Sequence, residues 1–202
     1  MTSEKQQHAL PIVTIVWVLG LAISGFKPHD RPTWLLEVLP CLIALPVLWA
    51  TRGRFQFTRL VYGLIAIHGL ILMLGGAYTY ARVQEWLHLT RNPYDKLGHF
   101  AQGFVPAMVA RELLIRVFNI PAGRLNAFLV ISICLGISAF YELIEWWTAL
   151  PLGQGADDFL GTQGDPWDTQ SDMFFALIGA ICALLLLRRI HDQAMARKPT
   201  TA

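Results

Sequence analysis

Seven of the 14 acidic residues of this chain, Glu142, Glu145, Asp157, Asp158, Asp165, Asp168 and Asp172, lie between Arg124 and Arg188, a stretch without a single Lys or Arg. Strongly apolar runs open and close that stretch, so its carboxylates sit at or near the edge of a membrane with no base close by in sequence. Carboxylates gathered in such a place need a cation, a shared proton or a distant base. Their spacing is helical. Asp95 and His99 are four residues apart, Glu142 and Glu145 three, and Asp165, Asp168 and Asp172 three and four, so each set shares one helix face.

Two chemistries fit these residue types. Carboxylates with one imidazole can hold zinc, manganese, iron or a harder divalent cation, and His99, Glu142, Asp168 and Asp172 are the candidate ligands. A divalent metal ion there would lower the pKa of a bound water and supply a nucleophile at neutral pH. Without a metal, crowded carboxylates work as a general acid and base pair or as a proton relay. The sequence leaves both open. In either case Asp95, His99, Glu142 and Asp172 are the candidate catalytic groups, and Glu145 and Asp168 support them.

Each of these residues also has a plainer reading. Asp168 and Asp172 are close to a helix start, where acids cap backbone N–H groups and complement the dipole. Asp157 and Asp158 fall in a Gly-containing loop and read as solvated. Glu145, beside Trp146 and Trp147, can reach water at the interface, and Asp95 can pair with Lys96 or Arg91. His99 and His68 each suit a hydrogen bond within or between helices, and Glu112 with Arg116 has the spacing of a helical ion pair. Pro106 is placed to kink the helix that carries His99. Glu142 is the hardest to dismiss: it lies about two turns inside an apolar run, where an unpaired carboxylate costs several kcal/mol.

The elements that must position these groups are membrane helices. Of the 202 residues, 54% are hydrophobic and 15% charged, and the mean hydropathy is +0.46. That composition belongs to polytopic membrane proteins and predicts an all-α bundle of about six transmembrane helices. Segments near 9–26, 34–50, 60–78, 99–118, 126–148 and 170–187 can cross a hydrocarbon core of roughly 30 Å at about 1.5 Å per residue. Residues 1–190 read as one bundle domain and 191–202 as a short polar tail without structure. Leu10 to Phe26 reads as a retained first span and not as a cleaved signal. Cys41, Cys134 and Cys182 fall in apolar runs and read as packing residues.

Tryptophans 34, 49, 86, 146, 147 and 167 mark span ends, and only Trp17 is mid-span. With both termini cytoplasmic, the inner side carries Lys5, Arg52, Arg54, Arg59, Arg111, Arg116, Arg124, Arg188, Arg189, Arg197 and Lys198, against Lys27, Arg31, Arg82, Arg91 and Lys96 outside. The third connection, about 79–98, holds three of those outer bases, and Ala81 to Leu89 suits an interfacial helix. Under this topology the acidic and His-bearing helix ends meet at the outer face, and the loop at about 149–169 can close over them. A net charge of +2 and the lack of a Lys/Arg tract exclude nucleic acid as a partner.

Familiar catalytic signatures are missing: there is no His-Glu-x-x-His pair and no Gly-x-Ser-x-Gly elbow. Lys27 to Arg31 is too short for the first lipid-phosphatase signature, and Gly164, Asp168 and Asp172 lack the Asp-Gly and Ala-Arg portion of the phosphoalcohol-transferase signature. Three motifs do carry a likeness. Tyr94-Asp95-Lys96-Leu97-Gly98-His99-Phe100, Tyr141-Glu142-Leu143-Ile144-Glu145-Trp146 and Gly164-Asp165-Pro166-Trp167-Asp168-Thr169-Gln170-Ser171-Asp172-Met173 resemble the YjdF-type family of bacterial inner-membrane proteins, a family without an assigned reaction. More distantly the chain is similar to VanZ-like proteins, which share Asp-Lys-x-x-His-Phe, a later intramembrane Glu and an Asp entering a last helix. Their usual Asn after that Asp is replaced here by the run Phe174-Phe175-Ala176.

The resemblance implies a six-span inner-membrane protein and no particular reaction. The residues themselves point to hydrolysis or group transfer on a lipid or lipid-linked envelope substrate, with membrane lipid as the surrounding partner. Two alternatives stay open: a small transporter in which Glu142, His68 and His99 relay protons or cations, and a non-catalytic envelope assembly factor. The oligomeric state is not legible in the sequence.

Overall fold

The computed structural model describes residues 8–87, 94–151 and 166–196, with the backbone alone over 79–87. Among the described residues six helices follow one another: α1 Ala9–Ser24, α2 Arg31–Thr51, α3 Arg59–Leu87, α4 Tyr94–Arg116, α5 Arg124–Ala149 and α6 Asp168–Ala196. No strand occurs among the described residues. Each expected span has its helix. Asp157, Asp158, Asp165, Gly164 and the rest of residues 152–165 in the 149–169 loop lie outside the described residues, as do Lys5, Arg91 and the last six residues.

Local sequence explains the boundaries. Asp30 caps α2: its carboxylate accepts the backbone N–H of Thr33 at 2.8 Å, and Pro32 follows in the first turn, where a missing N–H costs nothing. Hydrogen bonds from the side chain and backbone of Thr33 hold the Asp30 carboxyl below the usual aspartate range. Thr58 Oγ1 accepts the N–H of Val61 at the start of α3. Between α4 and α5 the chain turns through Asn119, whose φ of 55° lies in the left-handed region that Asn tolerates.

Two boundaries differ from expectation. Residues 81–87 continue α3 and do not form a separate interfacial helix; Ala81, Arg82, Gln84 and Glu85 are good helix formers with no Gly or Pro among them to stop the helix. Similarly α6 runs past Arg188 to Ala196, so the first part of the polar tail is helical and His191 is fully buried.

Among the described residues four helices are long and apolar enough to cross a membrane: α2, the Arg59–Tyr78 part of α3, α5 and α6. α1 is apolar but has 16 residues. α4 falls short of that apolarity, and its burial explains why. His99, Arg111 and Glu112 are all buried, and a helix shielded by protein can carry polar groups that lipid would not accept.

The chain divides into two compact units, Met1–Thr79 with Leu184–Ala202, and Tyr80–Ala183. In the first, α1 packs on α2, and buried Trp17 donates its indole N–H to the Ala66 carbonyl of α3 at 3.2 Å. In the second, α4 packs along α5, and α4 crosses α6 at backbone contact. A Cβ on Gly103 would lie 1.8 Å from the Ala176 carbonyl oxygen, and one on Gly179 would lie 2.1 Å from that of Phe100. Ala107, Ala176 and Ala180 are fully buried. Small residues thus bring the two backbones together, as membrane helix pairs require.

Candidate functional site

The site lies within the second unit, at the first turns of α4 and α6 and the last turns of α5. The Gly103–Ala176 and Gly179–Phe100 crossing sits about one turn beyond His99 and Asp172. It leaves the side chains of the two helix starts facing each other across a short gap.

Lys96 fills that gap. Its ammonium donates to Asp168 Oδ1 at 2.8 Å and to Asp172 Oδ1 at 2.6 Å, and lies 3.3 Å from Asp95 Oδ2. Side-chain exposure is 14% for Lys96, 7% for Asp168 and 3% for Asp172, so these charges meet largely out of solvent. The spacing of charges along the chain predicts acids with no local base. None is near in sequence, but Lys96 comes in from 72 residues before Asp168. In the sequence it reads only as a structural partner of Asp95, and its larger role is signalled there by its place inside the Asp95-Lys96-x-x-His99 element.

His99, also buried, lies beside this cluster. Its Nε2 is 3.4 Å from Asp95 Oδ1 and 3.8 Å from Asp172 Oδ1. Its Nδ1 is 3.0 Å from Gln102 Oε1 and 3.8 Å from Glu142 Oε1. An amide oxygen only accepts, so with this Gln102 orientation Nδ1 carries its hydrogen and Nε2 is the nitrogen left for chemistry. Two carboxylate oxygens facing an imidazole lone pair repel it, and the arrangement is favourable only with a proton or a cation between them.

The four candidate catalytic residues therefore converge, but unevenly. Ligand atoms of Asp95, His99 and Asp172 all lie within 4.8 Å of one another. Ligands sharing a tetrahedral ion at about 2.1 Å stand roughly 3.4 Å apart, so these three could close on one cation. Glu142 faces the other ring nitrogen, and Asp168 meets the group through Lys96. The four expected ligands His99, Glu142, Asp168 and Asp172 are thus gathered in one place without surrounding one common point. Lys96 also occupies the Asp172 oxygen that an ion at Asp95, His99 and Asp172 would use.

Glu145 is half-buried three residues beyond Glu142 and within electrostatic reach of His99. Glu142 Oε1 and Ser138 Oγ, one turn apart on α5, are buried without a hydrogen-bond partner among the described residues. Trp146, Trp147 and Trp167 are exposed around this end of the helices, as expected for interfacial rings. At the far end of α4 the expected Glu112–Arg116 ion pair is present, with Glu112 fully buried. His68 belongs to the first unit, where its Nε2 is buried without a hydrogen-bond partner among the described residues.

Comparison with known proteins agrees with the architecture. The chain is 53% identical over 203 residues to "Inner membrane protein YjdF" of Escherichia coli (strain K12), covering 98% of this chain and 97% of that protein. No solved structure matches it. The family model described as "Predicted membrane protein (DUF2238)" matches residues 9–193. The chain therefore belongs to the DUF2238 family of membrane proteins, to which its three polar motifs and its six helices had already pointed.

Proposed function

We propose that this integral membrane protein acts by hydrolysis or group transfer on a lipid or lipid-linked envelope substrate of the bacterial inner membrane, with its site on the exported face and both termini in the cytoplasm. The observation behind this reading is the setting of His99 Nε2, held 3.4 Å from Asp95 Oδ1 and 3.8 Å from Asp172 Oδ1 at a membrane-helix end. In that role His99 takes up and returns a proton, Asp95 and Asp172 align and stabilise its charged form, and Lys96 offers positive charge to an anionic group. Glu142 supplies a second acid or base on the opposite side of the ring.

A divalent ion is the alternative partner for Nε2. It would take Asp95, His99 and Asp172 and require Lys96 to release its bond to Asp172. Metal analysis of the detergent-purified protein separates the two versions. Bound metal that disappears in His99→Ala and Asp172→Asn supports the ion; metal-free wild type removes it.

The reaction itself is tested by incubating purified protein with a bacterial polar-lipid extract and following products by mass spectrometry. A product formed by wild type and absent with folded His99→Ala supports the reading. Unchanged lipid with both proteins sinks it.

The Nε2 of His68, buried without a hydrogen-bond partner among the described residues, favours a second reading, a transporter that relays protons or cations. Ion flux into proteoliposomes that is lost in His68→Ala would select it.

A further inference from the structure

The first unit carries a groove where the amino-terminal end of α1 meets the turn from α2 to α3. It has a volume of about 310 Å³ and is lined by Leu10, Pro11, Trp49, Arg52, Gln56 and Tyr62. That volume is at the lower end of the range for small-molecule sites, about 300–1,000 Å³. One wall is polar and aromatic, the other apolar.

The polar wall is built in layers. Trp49 is pinned by its indole N–H, which donates to Thr14 Oγ1 of α1 at 2.9 Å. The Arg52 guanidinium carbon lies over the Trp49 ring, 4.4 Å from its centroid, a cation–π contact that holds the head of this exposed side chain at the groove without using its N–H donors. Gln56 anchors the turn through a 3.4 Å hydrogen bond to the Arg52 carbonyl. Below them Tyr62 is buried, at 3% exposure.

Charge and lipophilicity point the same way. Arg52, Arg54 and Arg59 stand within eight residues, and no Asp or Glu occurs from residue 38 to residue 84. Beyond Leu10 and Pro11 the α1 surface continues with Ile12 and Ile15, which are 59% and 60% exposed and suit contact with acyl chains. A ligand that fills both walls is anionic at one end and apolar at the other.

We propose that this groove binds an anionic phospholipid, with its phosphate on the Arg52 guanidinium edge and its glycerol and first acyl carbons against Leu10 and Pro11. The reading is independent of any chemistry at His99, because every residue it uses is in the first unit. A planar guanidinium suits a phosphate through two parallel hydrogen bonds, and Trp49, at the end of the α2 span, is the kind of ring that prefers the headgroup boundary. A free phosphate ion would share the first contact but not the second.

The test is lipid retention by the full chain purified in detergent, measured by native mass spectrometry with phosphatidylglycerol and phosphatidylcholine added separately. Phosphatidylglycerol should be retained preferentially, and Arg52→Gln, which keeps a stem over Trp49, should weaken it about five-fold. Arg54→Gln, outside the groove, should weaken it less. Circular dichroism of each variant confirms that it is folded; should Arg52→Gln not fold, Arg52→Lys serves, losing the paired hydrogen bonds while keeping the charge. Equal retention of the two lipids, or unchanged retention in the folded Arg52 variant, overturns the proposal. So does inorganic phosphate that binds alone and displaces phosphatidylglycerol at equal concentration, which would make the groove a free-ion site.

Discussion

At the residue scale, the decisive side chain is Lys96. Its ammonium is shared by Asp168 and Asp172 at low exposure, and removing one partner of a buried ion group leaves the others uncompensated, at a cost of about 3–5 kcal/mol. Lys96→Met should therefore lower the melting temperature in detergent sharply, and adding Asp168→Asn and Asp172→Asn should restore much of the loss. If the triple variant is no more stable than Lys96→Met, the three side chains are not coupled as drawn. Glu142 predicts the reverse: its Oε1 is buried without a hydrogen-bond partner among the described residues and stands 3.8 Å from His99 Nδ1, too far to be satisfied by it, so Glu142→Gln should melt at or above the wild-type temperature. A folded Glu142→Gln that loses lipid turnover would separate its chemical role from any structural one. Sequence reasoning selected the acids and His99 because helical spacing and intramembrane charge are visible in one dimension. Lys96 was hidden because its main partners lie in a helix more than 70 residues later.

At the element scale, the site depends on how closely α4 approaches α6. The Cβ of Gly103→Ala would meet the Ala176 carbonyl oxygen at 1.8 Å, a backbone atom that cannot rotate away, so the helices must separate. Gly103→Ala should reduce folded yield in detergent and lower the melting temperature by more than Gly98→Ala, where a Cβ meets nothing within 4 Å. Equal behaviour of the two would show that the crossing is looser than described. The start of α2 gives a smaller effect: Asp30→Ala removes one cap and should cost about 1 kcal/mol. Because its carboxyl is held below the usual range, the Asp30 contribution is complete above the ordinary aspartate pKa and is lost as pH falls through the lowered value. The wild-type advantage over Asp30→Ala should accordingly persist at neutral pH and vanish in strong acid, as melting curves across that range would report. Helix identities and most ends were legible from apolar length and capping residues. The extensions of α3 and α6 were not, because a hydropathy profile marks where lipid contact ends and not where backbone hydrogen bonding stops.

For the whole molecule, six crossings place both termini on one side, whereas five would place them on opposite sides. The question turns on α1, which has 16 residues, and on α4, whose buried polar residues keep it from reading as a lipid-facing span; loss of either crossing alone would put the termini on opposite sides. Fluorescent-protein fusions at the carboxyl terminus should glow in intact cells, and a periplasm-dependent phosphatase inserted in the 149–169 connection should be active there. A silent carboxyl-terminal fusion that is nevertheless inserted in the membrane would refute the six-crossing topology. The sequence by itself determined the solvent and the architecture, since runs of apolar residues commit helices to a bilayer, and it determined which side chains were costly enough there to require partners. Only the tertiary structure decided which partner each one has. Gly103 and Gly179 permit an approach between α4 and α6 close enough to bring Lys96 onto Asp168 and Asp172 and to leave His99 between Asp95 and Asp172. Such pairing depends on the distance between two helix axes, which no spacing along a single helix can specify.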